Sequence, residues 1–282
     1  MQTLNRIADL REALRQPRRD GKRIALVPTM GNLHRGHLEL VREARRHADI
    51  VVATIFVNPL QFGANEDLDS YPRTLADDQA GLEAEGCDFL FAPSEAEMYP
   101  NGRENQTIVE VPGLSDMHCG ATRPGHFRGV TTVVSKLFGI VQPDCAFFGT
   151  KDYQQLLVIR RMVADLCLPI AIHGVAIVRD EHGLALSSRN GYLTPEELAV
   201  APTLSRVLRD TAAAIEAGET DYDRLAEDAQ QQLEAAGFRR DFVRILRRSN
   251  LEPATGQDRE LVILSAGYLG AARLIDNIEV NR

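Results

Sequence analysis

The feature that most constrains the fold is an alternation of strand-like and helix-like segments that runs through residue 176. The strand-like segments are apolar runs rich in β-branched residues, such as DIVVATIFV at 49–57, which are typical of parallel strands buried on both faces. The segments between them have helical periodicity, as in HRGHLELVREARRHA at 34–48. The alternation predicts an α/β fold with a Rossmann-like, doubly wound parallel sheet, in which ligands bind at the carboxyl ends of the strands.

The pattern changes after residue 176, where two helical stretches are followed by short strands. Thr194-Pro195-Glu196-Glu197 predicts a helix start, because Thr caps, Pro suits the first helical position and Glu follows three residues after the cap. Gly218 and Gly237 predict the ends of the two helical stretches. The strand candidates are DFVRIL, ELVILSAG and ARLIDNI. We therefore predict a Rossmann-like domain at 1–176 and a smaller α+β domain at 177–282.

The composition argues against several classes of protein. The 282 residues include 32 Lys and Arg against 40 Asp and Glu, and this net charge of −8 argues against a broad nucleic-acid-binding surface. No segment reaches the ~18 uninterrupted apolar residues of a membrane span, and the first residues lack the apolar region of a signal peptide. The four cysteines lie far apart without a CxxC pair, as expected of free, buried thiols in a reducing compartment. We expect a cytoplasmic protein that binds neither membranes nor nucleic acid.

The segment VPTMGNLHRGHLEL at 27–40 places His34 and His37 on the first turn of a predicted helix. There they lie beside unpaired backbone N–H groups and the positive end of the helix dipole, and Gly36 leaves room for a ligand to approach the backbone. This arrangement suits a phosphate group. Two alternatives remain open on spacing alone: ordinary surface histidines, or half of a metal site, for which the neighbouring sequence offers no matching ligands.

Polar side chains follow two further predicted strands. In FVNPLQFG, the amides of Asn58 and Gln61 could bind the hydroxyl or carboxylate groups of a small substrate, or they could simply form a turn. In FFGTKDYQQLL, Lys151 could reach a phosphate and Asp152 could accept from a ribose hydroxyl. The alternative for the second segment is that Thr150 and Asp152 only cap the helix.

Two weaker signals complete the set. The turn-rich LALSSRNGYLTPEE carries Ser187, Ser188 and Arg189, which would form either a mobile phosphate clamp or an ordinary loop. Asp77 and Asp78, at a predicted helix start, would hold Mg²⁺ beside phosphates or only complement the helix dipole. The sequence has no GxxxxGK[ST] loop, no GxGxxG fingerprint and no GxSxG elbow, so P-loop kinases, dinucleotide-binding Rossmann enzymes and α/β-hydrolases are not indicated.

Taken together, the motifs TMGNLHRGH, FVNPLQF, YPRT, RPGHFRGV, FGTKDYQQ and LSSRN, in this order, resemble those of the pantoate–β-alanine ligases. The similarity runs nearly end to end and includes the closing ARLIDNIEV. That family belongs to a nucleotidyltransferase superfamily whose HxGH element corresponds to residues 34–37 and whose second signature corresponds to residues 186–189.

The resemblance implies an ATP-dependent ligase that uses Mg²⁺ and makes pantothenate in two steps. Pantoate and ATP would form pantoyl adenylate and pyrophosphate, and the amine of β-alanine would then displace AMP. The physical demands fit the residues, because an ionised carboxylate needs no strong base and the charge that grows on the phosphates needs positioned donors. The resemblance also implies a homodimer.

The resemblance further implies roles for individual residues. Expected at the triphosphate, as the catalytic set, are His34, His37, Lys151, Ser188 and Arg189. Expected elsewhere around ATP are Met30, Gly31, Gly36, Gly149, Asp152, Val178, Leu186 and Ser187. Expected to bind pantoate or β-alanine are Gln61 and Gln155, with Asn58 nearby, and expected near Mg²⁺ are Asp77 and Asp78. The smaller domain is expected to close over the active site.

Two positions depart from the family pattern. Cys119 and Thr150 stand where acidic residues are expected in many relatives, which leaves local contacts to the metal or phosphates open.

Two other functions remain possible beside the ligase. One alternative function is an adenylyltransferase that moves AMP onto a phosphate ester. The other is a nucleotide-binding regulatory module. Release of free AMP would argue against the first, and any turnover of ATP would argue against the second.

Overall fold

The structure is a computed structural model that describes residues 1–63 and 66–282. Within these residues, the chain contains one parallel sheet of six strands. The strands are β1 (Gln2–Leu4), β2 (Ile24–Thr29), β3 (Ile50–Ile55), β4 (Phe89–Phe91), β5 (Cys145–Gly149) and β6 (Ala171–Val175). Their order is β1-β4-β3-β2-β5-β6, and every neighbouring pair is parallel. The predicted doubly wound parallel sheet is confirmed, whereas the short strand β1 was not predicted.

Helices alternate with these strands along the chain. They are α1 (Ile7–Arg19), α2 (Arg35–His47), α3 (Leu75–Ala84), α4 (Glu95–Met98), α5 (Cys119–Thr122), α6 (His126–Val141) and α7 (Tyr153–Asp165). Central strands β2 and β3 are buried over Ile24–Val27 and Val51–Thr54, because helices cover both faces of the sheet. This burial explains why both strands read as continuous apolar runs rather than as an alternating pattern.

The remaining elements form a second sheet with its own helices. They are α8 (Pro195–Val200), α9 (Thr203–Glu216), α10 (Tyr222–Ala235), β7 (Arg239–Arg247), β8 (Glu260–Leu269) and β9 (Ala272–Asn281). The three strands are antiparallel in the order β7-β8-β9. Thr194 caps α8 in a reciprocal capping box with Glu197, as predicted. The first predicted helical stretch is split into α8 and α9 at Pro202, because proline cannot donate the backbone hydrogen bond that would continue a helix.

The chain divides into two compact units, which are residues 1–150 with 158–176 and residues 151–157 with 177–282. The domain boundary predicted from the sequence lies between 176 and 177. The structure also groups 151–157, the segment that begins at Lys151, with the second unit, so that α7 has residues in both units.

The four cysteines are free thiols, as predicted, but they are not all buried. Cys87 and Cys145 are buried, and burial raises the pKa of the Cys87 thiol to about 11. Cys119 is partly exposed, and Cys167, which follows the end of α7, is exposed. Within the described residues, no helix is long and apolar enough to span a membrane.

Candidate active site

The turn between β2 and α2 is held by a buried carboxylate. Asp78 of α3 is 3% exposed, and its two oxygens accept the N–H groups of Asn32 (2.9 Å) and Leu33 (2.7 Å). The Thr74 hydroxyl also donates to Asp78 at 3.2 Å. Gly31 suits this turn because its φ of +85° is strained for residues with a side chain, and a Cβ would also lie 3.1 Å from an Asp78 oxygen and 3.0 Å from the Ile55 side chain. Asp78 therefore fixes the backbone that leads into the HxGH element.

The two histidines of the HxGH element cap their own helix. His34 Nδ1 accepts from the Gly36 N–H at 3.1 Å, and His37 Nδ1 accepts from the His34 N–H at 3.3 Å. The two rings lie with their centroids 4.0 Å apart. A nitrogen that accepts a hydrogen bond carries no proton, so in both neutral rings the proton resides on Nε2. The helix cap thus leaves each imidazole with its N–H donor at the outer nitrogen.

This capping changes the prediction about which groups meet an anion. The sequence suggested unpaired backbone N–H groups at the start of α2, but those of Asn32, Leu33, His34 and Gly36 already donate to side chains. The imidazole nitrogen that could meet an anion is Nε2, because Nδ1 makes the capping contact in each ring.

Asn58 supports the turn that carries Gln61. Asn58 is 1% exposed, and its amide nitrogen donates to Gln61 Oε1 and to the Gly129 carbonyl, both at 3.1 Å. Its amide oxygen accepts from the Tyr99 hydroxyl at 2.7 Å and from the Leu60 N–H at 3.3 Å. With both donor hydrogens and the oxygen engaged, Asn58 is placed to orient Gln61 rather than to bind a substrate directly.

Gln61 lies beside a residue of the preceding motif. Its amide nitrogen contacts Met30 Sδ at 3.1 Å, which joins the predicted pantoate site to the predicted nucleoside site. The turn Pro59–Gln61 passes so close to α6 that a Cβ on Gly129 would lie 2.2 Å from the Leu60 carbonyl oxygen. Glycine is therefore required at position 129.

A second chain of contacts, not predicted from the sequence, holds the same turn. The Gln61 carbonyl lies 2.8 Å from His126 Nδ1, and His126 Nε2 lies 2.9 Å from Arg123 Nη1. Arg123 in turn forms a two-point ion pair with Glu66, at 2.6 and 2.7 Å. The arginine can only donate, so His126 carries its proton on Nδ1 and donates it to Gln61. The motif RPGHFRGV could have indicated this role, because its Arg and His lie three residues apart.

We expect the ion pair of Glu66 to contribute to stability in a pH-dependent way. Burial raises the pKa of the Glu66 carboxyl, but hydrogen bonding to Arg123 and its charge outweigh burial and hold the pKa below the ordinary 4.5. A carboxyl with a lowered pKa in the folded state stabilises the fold above its unfolded pKa and loses that contribution as the pH falls through its folded pKa. Glu66→Gln should therefore lower the free energy of unfolding by about 1 kcal/mol at pH 7.

The difference between Glu66→Gln and the unchanged protein should shrink as the pH falls below 4.5. Urea unfolding at several pH values measures it, with exposed Glu104→Gln as the control. A difference that stays constant from pH 7 to acid would show that the carboxylate charge contributes nothing.

The second unit carries most of the other predicted residues, on two segments. Lys151 lies in the 3-10 turn Thr150–Asp152 that follows Gly149 of β5, and its carbonyl accepts from Asn277 Nδ2 at 2.8 Å. Asp152 is exposed, and Gln155 is half-buried on the first turn of α7. The contact from Asn277 keeps the Lys151 backbone fixed.

Residues 178–186 form a hairpin, and a short 3-10 turn follows it. The Leu186 N–H donates to the Val178 carbonyl at 2.9 Å, which makes these two predicted nucleoside contacts neighbours. The Ser187 hydroxyl accepts from the Arg189 N–H at 3.2 Å and so caps the 3-10 turn Ser188–Tyr192. Ser187 therefore supports the turn through its side chain, and Ser188 and Arg189 lie within that turn.

Similarity to known proteins identifies the family. The family model described as pantoate-beta-alanine ligase matches residues 2–279. The chain belongs to the pantoate-beta-alanine ligase family. A pantothenate synthetase of Pseudomonas fluorescens (strain Pf-5) is 61% identical over 281 residues, which is 100% of this chain and 98% of that one. Another from Pseudomonas savastanoi pv. phaseolicola (strain 1448A) is 58% identical over the full length of both chains.

Solved structures of pantoate-beta-alanine ligases have the same fold. The pantothenate synthetase of Thermus thermophilus superposes with a TM-score of 0.94 at 48% identity, over 100% of both chains. A ligase of Francisella tularensis, whose structure is described as complexed with beta-gamma ATP and beta-alanine, superposes with a TM-score of 0.83 at 32% identity, covering 99% of this chain and 97% of that one. The predicted activity is confirmed: the chain is an ATP-dependent ligase that condenses pantoate with β-alanine in pantothenate biosynthesis.

Proposed function

We propose that this ligase works through an enzyme-bound pantoyl adenylate, with the Nε2–H groups of His34 and His37 donating to the phosphates of ATP. The observation that carries the proposal is the helix cap, which uses both Nδ1 atoms and leaves both protons on Nε2. A donor whose direction is fixed before the substrate arrives needs no reorganisation during the reaction, so it stabilises charge at low cost.

In the first step, a carboxylate oxygen of pantoate attacks the α-phosphorus of ATP. The new O–P bond forms as the bond to the β-phosphate oxygen breaks, and pyrophosphate leaves with the electron pair. The carboxylate is already ionised, so the residues must position it and stabilise the departing charge rather than remove a proton. We assign that stabilisation to His34, His37, Lys151, Ser188 and Arg189.

In the second step, the neutral amine of β-alanine attacks the acyl carbon of the adenylate. A C–N bond forms, the C–O bond to AMP breaks, and the amine loses a proton to the phosphate of the departing AMP or to water, which completes the amide. This step no longer involves the β- and γ-phosphates. The residues assigned to those phosphates should therefore matter less here than in adenylation.

The test of this reaction is the release of products from Mg–ATP, first with pantoate alone and then with β-alanine added. Pyrophosphate near one equivalent per site with pantoate alone, followed by steady AMP only with β-alanine, supports the two-step reaction. If pyrophosphate appears only when β-alanine is also present, the adenylate is not formed in a separate first step, and the two-step route is contradicted.

Magnesium fits this site as a partner of ATP better than as an ion held by the chain. Within residues 1–63 and 66–282, no group of three His, Cys, Asp or Glu could hold a metal. Asp78 is unsuited to bind a cation directly, because its oxygens accept backbone N–H groups. Asp77 is exposed on the first turn of α3, and its contact with Mg²⁺ stays a prediction. Bound to the phosphates, Mg²⁺ would neutralise part of their charge.

We assign Gln61 to pantoate, and Gln155 stays a prediction for the same substrate. Gln61→Ala is expected to raise the KM for pantoate roughly tenfold, the scale of one hydrogen bond to a charged group, while the KM for ATP changes little. The reason is that Gln61 is held by Asn58 and His126 on a turn separate from the HxGH element.

Steady-state kinetics with each substrate varied in turn measures the effect of Gln61→Ala, with the loop residue change Gln106→Ala as the control. Tyr99→Phe should act in the same direction but more weakly, since the Tyr99 hydroxyl reaches Gln61 only through Asn58. Burial raises the pKa of Tyr99, so this phenol stays a donor across the working pH range. Equal rises in both KM values would contradict the assignment.

Closure of the second domain over bound ATP remains a proposal. It predicts that the backbone amides of 187–190 exchange with solvent more slowly when ATP is present. Hydrogen exchange followed by mass spectrometry measures this, with the exposed segment 255–259 as an internal reference. Identical exchange of 187–190 with and without ATP would count against closure.

The homodimer and the cytoplasmic location also stay predictions. Light scattering of the purified protein tests the homodimer.

A further inference from the structure

The last strand, β9, carries two adjacent buried polar residues, which lie in the closing motif but for which the sequence predicted no individual role. Asp276 is 3% exposed and Asn277 is 5% exposed. Burying a carboxylate or an amide costs free energy unless hydrogen bonds or an opposite charge compensate for it. The hydrogen-bond and ion-pair partners of Asp276 and Asn277 therefore show which segments of the chain β9 holds in place.

Asp276 anchors the hairpin that leads into the Ser188 turn. Its carboxylate forms a two-point ion pair with Arg179, at 2.6 and 2.9 Å. The same guanidinium donates to the Gly183 carbonyl at 3.1 Å, at the tip of the hairpin. Arg179 also forms a backbone bridge with Ala185, two residues before Ser187. The direction of the 178–186 hairpin is thus fixed by a charge on β9.

Asn277 anchors the segment that carries the lysine. Its Nδ2 donates to the Lys151 carbonyl at 2.8 Å, across 126 positions of sequence. This contact lies in the 3-10 turn Thr150–Asp152, where the backbone leaves β5 and enters α7. A hydrogen bond to the lysine backbone restrains the Cα from which the ammonium group extends.

We propose that Asp276 and Asn277 are positioning residues for adenylation, which set the backbone of Lys151 and of the 187–189 segment from one strand. The proposal rests on the proposed function, in which Lys151, Ser188 and Arg189 contact the phosphates of ATP. In this proposal neither residue needs a contact with substrate of its own. Each acts through the main chain of a segment that contacts ATP.

A positioning role and a purely structural role would affect the two half-reactions differently. Misplaced phosphate contacts slow the step in which pyrophosphate leaves, because small displacements of a charged donor cost much of its effect in the transition state. They should leave amide formation from preformed pantoyl adenylate nearly unchanged. A protein that is only less well folded would lose both half-reactions by the same factor.

The test is Asn277→Asp, which keeps the size of the side chain but replaces the donor with an oxygen that faces the Lys151 carbonyl. Single-turnover pyrophosphate release with ATP and pantoate is expected to slow roughly ten- to hundredfold. Pantothenate formation from synthetic pantoyl adenylate and β-alanine is expected to stay within about twofold. The matched control is Asn281→Asp, the same change at an exposed position of β9, which should alter neither rate.

Asp276→Asn provides a second variant that does not depend on the first. It removes the charge opposite Arg179, so the amide of Leu186, which donates to the Val178 carbonyl, should exchange faster with solvent while amides of β8 keep their protection. Adenylation should slow in this variant as well, and again more than amide formation.

The outcomes separate the two proposals. Suppose that the unchanged protein turns over ATP, but the variants lose both half-reactions equally or lose neither. The positioning role would then be overturned. If the unchanged protein releases no pyrophosphate with pantoate, the two-step function fails, and the positioning role fails with it.

Discussion

His37→Asn should slow pantoate-dependent adenylation by about 10²- to 10³-fold, which corresponds to about 3–4 kcal/mol of lost transition-state stabilisation. The asparagine oxygen occupies nearly the place of Nδ1, so it can still accept from the His34 N–H and keep the helix cap. What it lacks is the outer nitrogen and its proton. The free energy of unfolding should therefore change little while the rate falls.

His37→Gln is the matched comparison, because its side chain reaches the place of Nε2 but leaves the inner acceptor position empty. It should retain more of the adenylation rate than His37→Asn and lose about 1 kcal/mol of stability, the scale of a lost helix cap. Single-turnover pyrophosphate release and urea unfolding together measure the two effects. An adenylation rate for His37→Asn within tenfold of the unchanged protein would contradict the role assigned to Nε2–H.

Lys151→Ala should raise the barrier to adenylation by a similar amount, about 3–4 kcal/mol, because it removes a charged donor from the departing pyrophosphate. Lys151→Met is the closer comparison, since it keeps most of the aliphatic length and removes only the charge. Both variants keep the backbone carbonyl that accepts from Asn277. The fold should therefore survive both changes.

Rapid-quench measurement of the first turnover tests the lysine, with exposed Lys22→Ala as the control. Amide formation from synthetic pantoyl adenylate should be much less affected, because the β- and γ-phosphates have left by then. Rates of adenylation within tenfold of the unchanged protein for Lys151→Ala would remove the lysine from the proposed mechanism.

The fold was predictable because its main signal is local. Buried parallel strands such as β3 must be apolar on both faces, and the intervening helices must present one apolar stripe, so both patterns are visible in short windows of sequence. Strand β1 was missed because three residues, Gln2–Leu4, are too few to show any period. The split between α8 and α9 was missed because the helical pattern continues across Pro202.

The site was predictable only in part, because many of its decisive contacts join distant positions. The sequence placed His34 and His37 at a helix start, but their use of Nδ1 as a cap depends on ring orientation. Asp78 appeared as either a metal ligand or a complement to the helix dipole. Its actual partners, Asn32 and Leu33, lie about 45 positions away, so no local spacing rule could pair them.

The measurement that tests the central claim most directly is the fate of labelled oxygen. Pantoate carrying ¹⁸O in its carboxylate would be converted with Mg–ATP and β-alanine, and the released AMP and pyrophosphate would be analysed by mass spectrometry. Attack of the carboxylate on the α-phosphorus predicts one ¹⁸O atom in AMP and none in pyrophosphate. Unlabelled AMP would show that no pantoyl adenylate forms, and it would contradict the mechanism assigned to the HxGH element.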